Sequence, residues 1–133
     1  MANEARKIMV TIRRAPYGSI YVQEALEVLF IVASYGMDLS VVFIDDGVLA
    51  LKSGQDAKDL GMRGFAASIG ALTDFEVSKV YVDKQSLLDR NIDESELMDI
   101  GEDEETEELL SPQVIDSDAI TAMFAEQHSI ISF

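Results

Sequence analysis

Residues 7–44, KIMVTIRRAPYGSIYVQEALEVLFIVASYGMDLSVVFI, decide the fold. Two short apolar runs, Lys7–Arg13 and Leu39–Ile44, flank a longer apolar segment, Ile20–Tyr35. Runs that are apolar on both faces are typical of strands in a parallel sheet that is covered on both sides. The longer segment has the length of a helix and only a narrow polar stripe, so we expect a β-α-β unit whose helix is mostly buried.

The rest of the chain continues this alternation. Apolar runs predict further strands at Val77–Val82, Val114–Ile115 and Ser129–Phe133. Helices are predicted at Val48–Lys52, at Phe65–Leu72, at Asp83–Arg90, and from Asp116 or Ser117 onward, with Ile120, Met123 and Phe124 on the apolar face of the last one. With right-handed crossovers, this order predicts an α/β protein, a three-layer α/β/α sandwich around a five-stranded parallel sheet.

Charge is distributed unevenly along the chain. The 133 residues fit a single domain, 1–133, with an acidic loop or insertion at about 101–111. Residues 1–90 contain all ten Lys and Arg together with twelve acids, whereas residues 91–133 contain thirteen acids and no Lys or Arg. Nucleic acids and anionic membranes attract basic surfaces, so this chain is expected to bind neither directly.

Cysteine is absent from the sequence. Thiol catalysis, thiolate metal ligation and disulfides are therefore excluded on this chain, and we expect no cofactor. The polar residues 1–7 do not resemble a signal peptide, and no apolar stretch approaches the roughly 20 residues that span a bilayer. The cytoplasm is the expected compartment.

The turn after the first predicted strand, Arg13–Ser19, reads RRAPYGS. Its two arginines, Tyr17 and the amides near Gly18 could hold an anion, because ligands of such folds sit at the carboxyl ends of strands and helix N-termini attract anions. The segment lacks the glycine spacing of a nucleotide-binding loop. A structural turn or a subunit contact is the simpler interpretation.

Two acids, Asp45 and Asp46, followed by Gly47, end the second predicted strand. Paired carboxylates at a strand end can bind Mg²⁺, whereas the simpler interpretation is that one of them caps the short helix that follows. Together with Arg13–Ser19 they support an alternative function, a small anion- or metal-binding flavodoxin-like enzyme or sensor.

Two further features lie near the C-terminus. The single histidine, His128, lacks the neighbours of a catalytic triad and is interpreted as a helix-dipole partner or an interface residue. The acidic run between Glu102 and Glu108 is either a solvated loop or a docking surface for a basic partner. The second possibility would make the chain a stand-alone interaction module.

Six segments, taken in order, resemble the DsrF/TusC branch of the DsrE/DsrF/DsrH sulfur-relay family. They are RRAPYGSIY (13–21), EALEV (24–28), FIDDGV (43–48), GQDAK (54–58), VYVDKQSL (80–87) and the ending IISF (130–133). The segments APYG (15–18) and GQDAK (54–58) are more similar to DsrF than to the TusC of enteric bacteria.

This resemblance implies a subunit of a heterohexamer built from two copies each of three related chains. Its partners would be DsrE/TusD-like and DsrH/TusB-like subunits and, through the complex, a DsrC/TusE-like sulfur carrier. In DsrE/TusD-type subunits a cysteine after the third strand carries the persulfide, and the matching position here is Asp83. Some DsrF-like chains have a cysteine in strand two, and Leu39–Ile44 has none.

The resemblance therefore implies a non-catalytic subunit that serves sulfur oxidation or tRNA 2-thiouridine synthesis. An aspartate cannot carry a persulfide, and persulfide transfer needs a thiolate. The candidate family-motif or interface residues are Arg14, Pro16, Tyr17, Gly18, Ser19, Asp45, Asp46 and Gly47.

Overall fold

A computed structural model describes residues 6–17, 20–53, 66–75, 77–103 and 105–133. The strands in these ranges are β1 (Lys7–Ile12), β2 (Asp38–Phe43), β3 (Val80–Asp83), β4 (Gly101–Glu102), β5 (Leu109–Leu110), β6 (Gln113–Ile115) and β7 (Ser129–Ser132). The α-helices are α1 (Tyr21–Ala33), α2 (Ala66–Ile69), α3 (Lys84–Asp89) and α4 (Ser117–Glu126). Shorter 3₁₀ helices span Asp45–Leu51, Leu72–Phe75 and Glu94–Glu96.

Five strands form the main sheet in the order β6-β3-β2-β1-β7, and every neighbouring pair is parallel. In the centre of the sheet Val10 pairs with Val41, and Met9 pairs with Ile130 at the β7 edge. The predicted five-stranded parallel sheet is confirmed.

Apolar side chains fill both faces of this sheet, because successive residues of a strand point to opposite sides. One face packs into the larger core, which contains Val10 and Phe43 from the strands and Leu26 from α1. The other face packs into a smaller core, in which Met9 and Val42 meet Ile120 of α4. The helices thus flank the sheet as the three-layer prediction requires.

The first helix is less buried than predicted. Its buried residues share one face and are Val22, Ala25, Leu26 and Leu29. Its outer side and flanks leave apolar side chains exposed, among them Ile31 at 59% and Tyr35 at 72%. The prediction of a mostly buried helix is wrong, because α1 packs on the sheet through one face only.

The acidic segment at 101–111 contains a short antiparallel hairpin, β4 paired with β5, where a loop was predicted. In the turn, the carboxylate of Asp103 accepts hydrogen bonds from the backbone N–H groups of Glu105 and Thr106. These bonds lower the pKa of Asp103. The local turn geometry therefore orders part of a segment whose composition alone suggested a solvated loop.

No helix within the described ranges combines the length and the apolarity needed to cross a bilayer. The predicted helix at Phe65–Leu72 is shorter in the structure, and its first residue lies outside the described ranges. The short helix predicted at Val48–Lys52 begins earlier, as the 3₁₀ helix Asp45–Leu51.

Candidate functional site

The carboxyl edge of the sheet gathers most of the residues that the sequence singled out. Parallel strands end at the same edge, so the residues that follow β1, β2, β3 and β6 become neighbours. Arg13 follows β1, Asp45 follows β2 and Ser117 follows β6, while Asp83 is the last residue of β3.

Asp83 ends β3, which lies between β6 and β2 in the sheet, and only 5% of its surface is exposed. As the N-cap of α3, its Oδ2 accepts hydrogen bonds from the backbone N–H of Ser86 at 3.1 Å and from its hydroxyl at 2.6 Å. Its Oδ1 accepts a hydrogen bond from the Ser117 hydroxyl at 2.7 Å. Three donors thus satisfy a buried carboxylate, as burial of such a group requires.

Ser86 extends this hydrogen-bonded network to the end of β2. Its hydroxyl donates to Asp83 and also accepts from the backbone N–H of Asp45 at 2.9 Å. Asp83, Ser86, Ser117 and the Asp45 amide therefore connect three chain segments; we call this set the Asp83 network. Sequence reasoning missed both serines, although Asp is a preferred N-cap residue and its side chain typically accepts from the backbone N–H three positions on, which here belongs to Ser86.

Ion pairs occupy the side chains of the two acids that follow β2. Arg13 donates from Nε and Nη2 to Asp45 at 3.0 and 2.9 Å. Arg90 donates from Nε and Nη2 to Asp46 at 3.1 and 2.9 Å, and from Nη1 to the carbonyl of Ser86. These pairs place both acid side chains against arginines.

The interpretation of Asp45 or Asp46 as a helix cap is wrong. Ile44 is the N-cap of the 45–51 helix, and it makes no side-chain cap hydrogen bond. Asp45 instead adopts a left-handed backbone conformation, with φ of 53°, inside the first turn. Its amide meets Ser86, and its carboxylate is turned to Arg13.

The remaining motif residues contribute packing. The Arg14 guanidinium lies over the ring of Tyr21, 3.9 Å from its centroid, in a cation–π arrangement. Pro16 is buried, and Tyr17 packs against the larger core. Gly18 and Ser19 lie outside the described residues.

Gly47 is required by close backbone contact. A Cβ at this position would lie 1.8 Å from the carbonyl oxygen of Ile12, which accepts a hydrogen bond from Ile44. Only a residue without a side chain allows the 45–51 helix to pass this close to β1.

His128 lies at the opposite, amino edge of the sheet, away from the Asp83 network. Its Nδ1 accepts a hydrogen bond from the backbone N–H of Lys7 at 2.8 Å. Among the described residues, no group of three or more His, Asp or Glu is arranged to hold a metal ion. The carboxyl edge therefore offers hydrogen bonds and paired charges, and the chain supplies no thiol.

Comparison with known proteins assigns the chain to a family. The sequence model of the DsrE/DsrF-like family matches residues 6–133. The chain belongs to this family. The resemblance drawn from the six sequence segments is thereby confirmed.

Named relatives extend this result. The chain is 42% identical over its full length to the full-length intracellular sulfur oxidation protein DsrF of Allochromatium vinosum. It is 26% identical to the TusC homolog of Pseudomonas aeruginosa, with 96% of this chain and 98% of the relative covered. The crystal structure of the ychN protein from E. coli superposes with a TM-score of 0.69 at 20% identity, covering 96% of this chain and 99% of that one, which shows the shared fold.

Proposed function

We propose that this chain is a non-catalytic subunit of a sulfur-relay complex and that it carries no sulfur itself. The full-length similarity to a protein named for intracellular sulfur oxidation supports the first part. The absence of cysteine from the sequence supports the second, because persulfide transfer proceeds by attack of a thiolate on sulfur.

The observation that carries the proposal is the state of Asp83. In the proposed correspondence, this residue stands where a DsrE/TusD-like subunit has its sulfur-carrying cysteine. Its carboxylate is buried and held by Ser86 and Ser117, so it serves as a structural clamp. The position that handles sulfur in a related subunit would here hold the carboxyl edge of the sheet rigid.

The proposed assembly is a cytoplasmic heterohexamer with DsrE/TusD-like and DsrH/TusB-like partners. Residues 1–133 would form one domain of it. The exposed apolar side chains of Ile31 on α1 and of Tyr35 just after it are of the kind that subunit contacts cover. The motif residues Arg14, Pro16 and Tyr17 lie just before this helix and are proposed to shape its N-terminal end.

Two pathways suit such a subunit. The 42% identity to DsrF favours sulfur oxidation through a DsrC-like carrier. The similarity to TusC homologs supports tRNA 2-thiouridine synthesis through a TusE-like carrier as the second candidate. Deletion of the gene separates them, because the first predicts impaired oxidation of stored sulfur with normal tRNA thiolation, and the second predicts loss of 2-thiouridine.

Co-expression with the genes for the two related subunits tests the assembly. We expect one complex that contains all three chains after affinity capture and size-exclusion chromatography. A chain that elutes alone in the presence of both candidate partners would contradict the proposal.

A further inference from the structure

A solvent-exposed leucine stands between two surface grooves beside the carboxyl edge. Leu88, on the outer side of α3, is 61% exposed. A groove of about 550 Å³ separates α3 from residues 91–96, and one of about 330 Å³ separates α3 from the start of α4. Leu88 and Lys84 line both grooves, so the two depressions form one surface, which we call the Leu88 surface.

Part of the lining of the larger groove is apolar. Leu87 and Ile92 contribute to it, with 2% and 7% of their surfaces exposed. Together with the exposed side chain of Leu88, they offer an apolar contact for a side chain inserted from outside. Exposed apolar groups within a concave surface are typical of binding sites.

The rim of the Leu88 surface is acidic. Its carboxylates belong to Asp93, Glu94, Glu96, Asp116 and Asp118, whereas Lys84 is the single lysine or arginine among the lining residues that the structure describes. Asp93 and Glu96 are engaged in a local capping box, and Glu96 also faces Lys52 at 3.7 Å. Within the described part of the chain, Glu94, Asp116 and Asp118 form no ion pair.

We propose that the Leu88 surface docks a polypeptide segment of a partner protein in which an apolar side chain is flanked by lysines or arginines. The apolar side chain would contact Leu88 and the groove lining, and the basic side chains would pair with Glu94, Asp116 and Asp118. Charge complementarity of this kind steers association and selects the partner.

The same charges exclude other occupants. A second copy of this chain that docked through the same face would bring like charge to the rim, which opposes association. Nucleic acids and anionic membranes would meet the same repulsion. This inference goes beyond the sulfur-relay proposal, because it depends on the groove and its charges and not on sulfur chemistry.

A fluorescein-labelled peptide, Gly-Lys-Leu-Lys-Leu-Lys-Gly, is the probe for this proposal, and the same peptide with glutamates in place of lysines is its control. Three variants of the full chain are compared by fluorescence anisotropy at low salt. Leu88→Ser removes the apolar contact. Glu94→Gln/Asp116→Asn/Asp118→Asn neutralises three rim charges, and Glu102→Gln/Glu107→Gln/Glu108→Gln neutralises three charges on the β4–β5 hairpin, whose residues line neither groove. Circular dichroism verifies that each variant is folded.

We expect Leu88→Ser to weaken binding about fivefold, which corresponds to the loss of about 1 kcal/mol. The rim variant should weaken it about tenfold, and the hairpin variant less than about twofold. In ¹⁵N spectra of the wild-type chain, the probe should shift the amides of Leu88 and Asp118. Three results would overturn the proposal. The first is equal weakening of probe binding by the rim and hairpin variants, and the second is unchanged probe binding by both Leu88→Ser and the rim variant. The third is no binding to the wild-type chain at a probe concentration on the order of 1 mM.

Discussion

The Ser117 hydroxyl donates a 2.7 Å hydrogen bond to the carboxylate of Asp83, although the two residues lie 34 positions apart in the sequence. This bond ties the end of β3 to the first turn of α4, which crosses to the other face of the sheet. Through Ser86, the same carboxylate also reaches the amide of Asp45 after β2. One buried aspartate therefore fixes three connections at the carboxyl edge.

Removal of this carboxylate should destabilise the fold. Asp83→Ala deletes the N-cap of α3 and leaves the hydroxyls of Ser86 and Ser117 without their acceptor. We expect the free energy of unfolding to fall by about 2–4 kcal/mol, because loss of a cap costs about 1 kcal/mol and hydrogen bonds to a charged group contribute more. Urea denaturation measures the change.

Asp89→Ala is the matched control, since Asp89 lies on the same helix, is exposed and accepts a hydrogen bond only from Gln85 among the described residues. It should change the free energy of unfolding by no more than about 0.5 kcal/mol. Equal losses for the two alanine variants would contradict the structural role assigned to Asp83.

A cysteine at position 83 should not create a sulfur carrier. The native side chain is 5% exposed, so the thiol of Asp83→Cys would be shielded from reagents and from an acceptor protein. Because the sequence has no other cysteine, reaction with a chromogenic disulfide reports on that thiol alone. We expect a rate at least about tenfold below that of Gln85→Cys, an exposed position two residues away.

The same variant should fail to deliver sulfur. Persulfide labelling of the isolated Asp83→Cys chain followed by transfer to an acceptor protein would show that the scaffold already contains everything that transfer requires. That outcome would contradict the role proposed for this subunit.

Insertion of a methyl group at Gly47 should be poorly tolerated. The new Cβ would lie 1.8 Å from the backbone oxygen of Ile12, a group that cannot rotate away. We expect Gly47→Ala to lower the free energy of unfolding by about 3 kcal/mol, near the upper end for overpacking.

Gly36→Ala provides the comparison for Gly47→Ala. Gly36 has a φ of +69°, but nothing lies within 4 Å of its added Cβ. The cost there is limited to the left-handed backbone conformation, about 1 kcal/mol. A Gly36→Ala variant less stable than Gly47→Ala would refute the proposed cause.

Magnesium or phosphate should leave the thermal midpoint of the purified chain unchanged. The groups that would bind them, Arg13 and the carboxylates of Asp45 and Asp46, are paired within the protein. A ligand that binds only the folded state raises the midpoint further as its free concentration rises above its dissociation constant. A concentration-dependent rise with either ligand would favour the alternative of an anion- or metal-binding enzyme or sensor.

The parallel sheet was predictable from the sequence because β1 and β2 are apolar on both faces, a pattern that only a covered strand tolerates. The strand order was not predictable. Apolar strands of similar composition pair equally well, so composition does not place β7 beside β1. The limited burial of α1 was missed because Ile31 and Tyr35 are large apolar residues of the kind that usually fill a core, and both are exposed here.

The candidate site was predictable in part. Asp83 was identified through the family resemblance, and its cap spacing to Ser86 is local and readable in the sequence. Ser117 was out of reach, because its contact with Asp83 depends on how the crossovers bring distant loops together. The same holds for Arg90, whose pairing with Asp46 spans 44 positions and turns that acid away from a capping role.

The central claim is that sulfur passes through this chain's partners and never binds this chain. The most direct measurement treats the assembled complex with a persulfide donor, separates the subunits and determines the intact mass of each. We expect added sulfur on a cysteine-bearing partner and an unchanged mass for this chain. A sulfur adduct on this chain would contradict the claim.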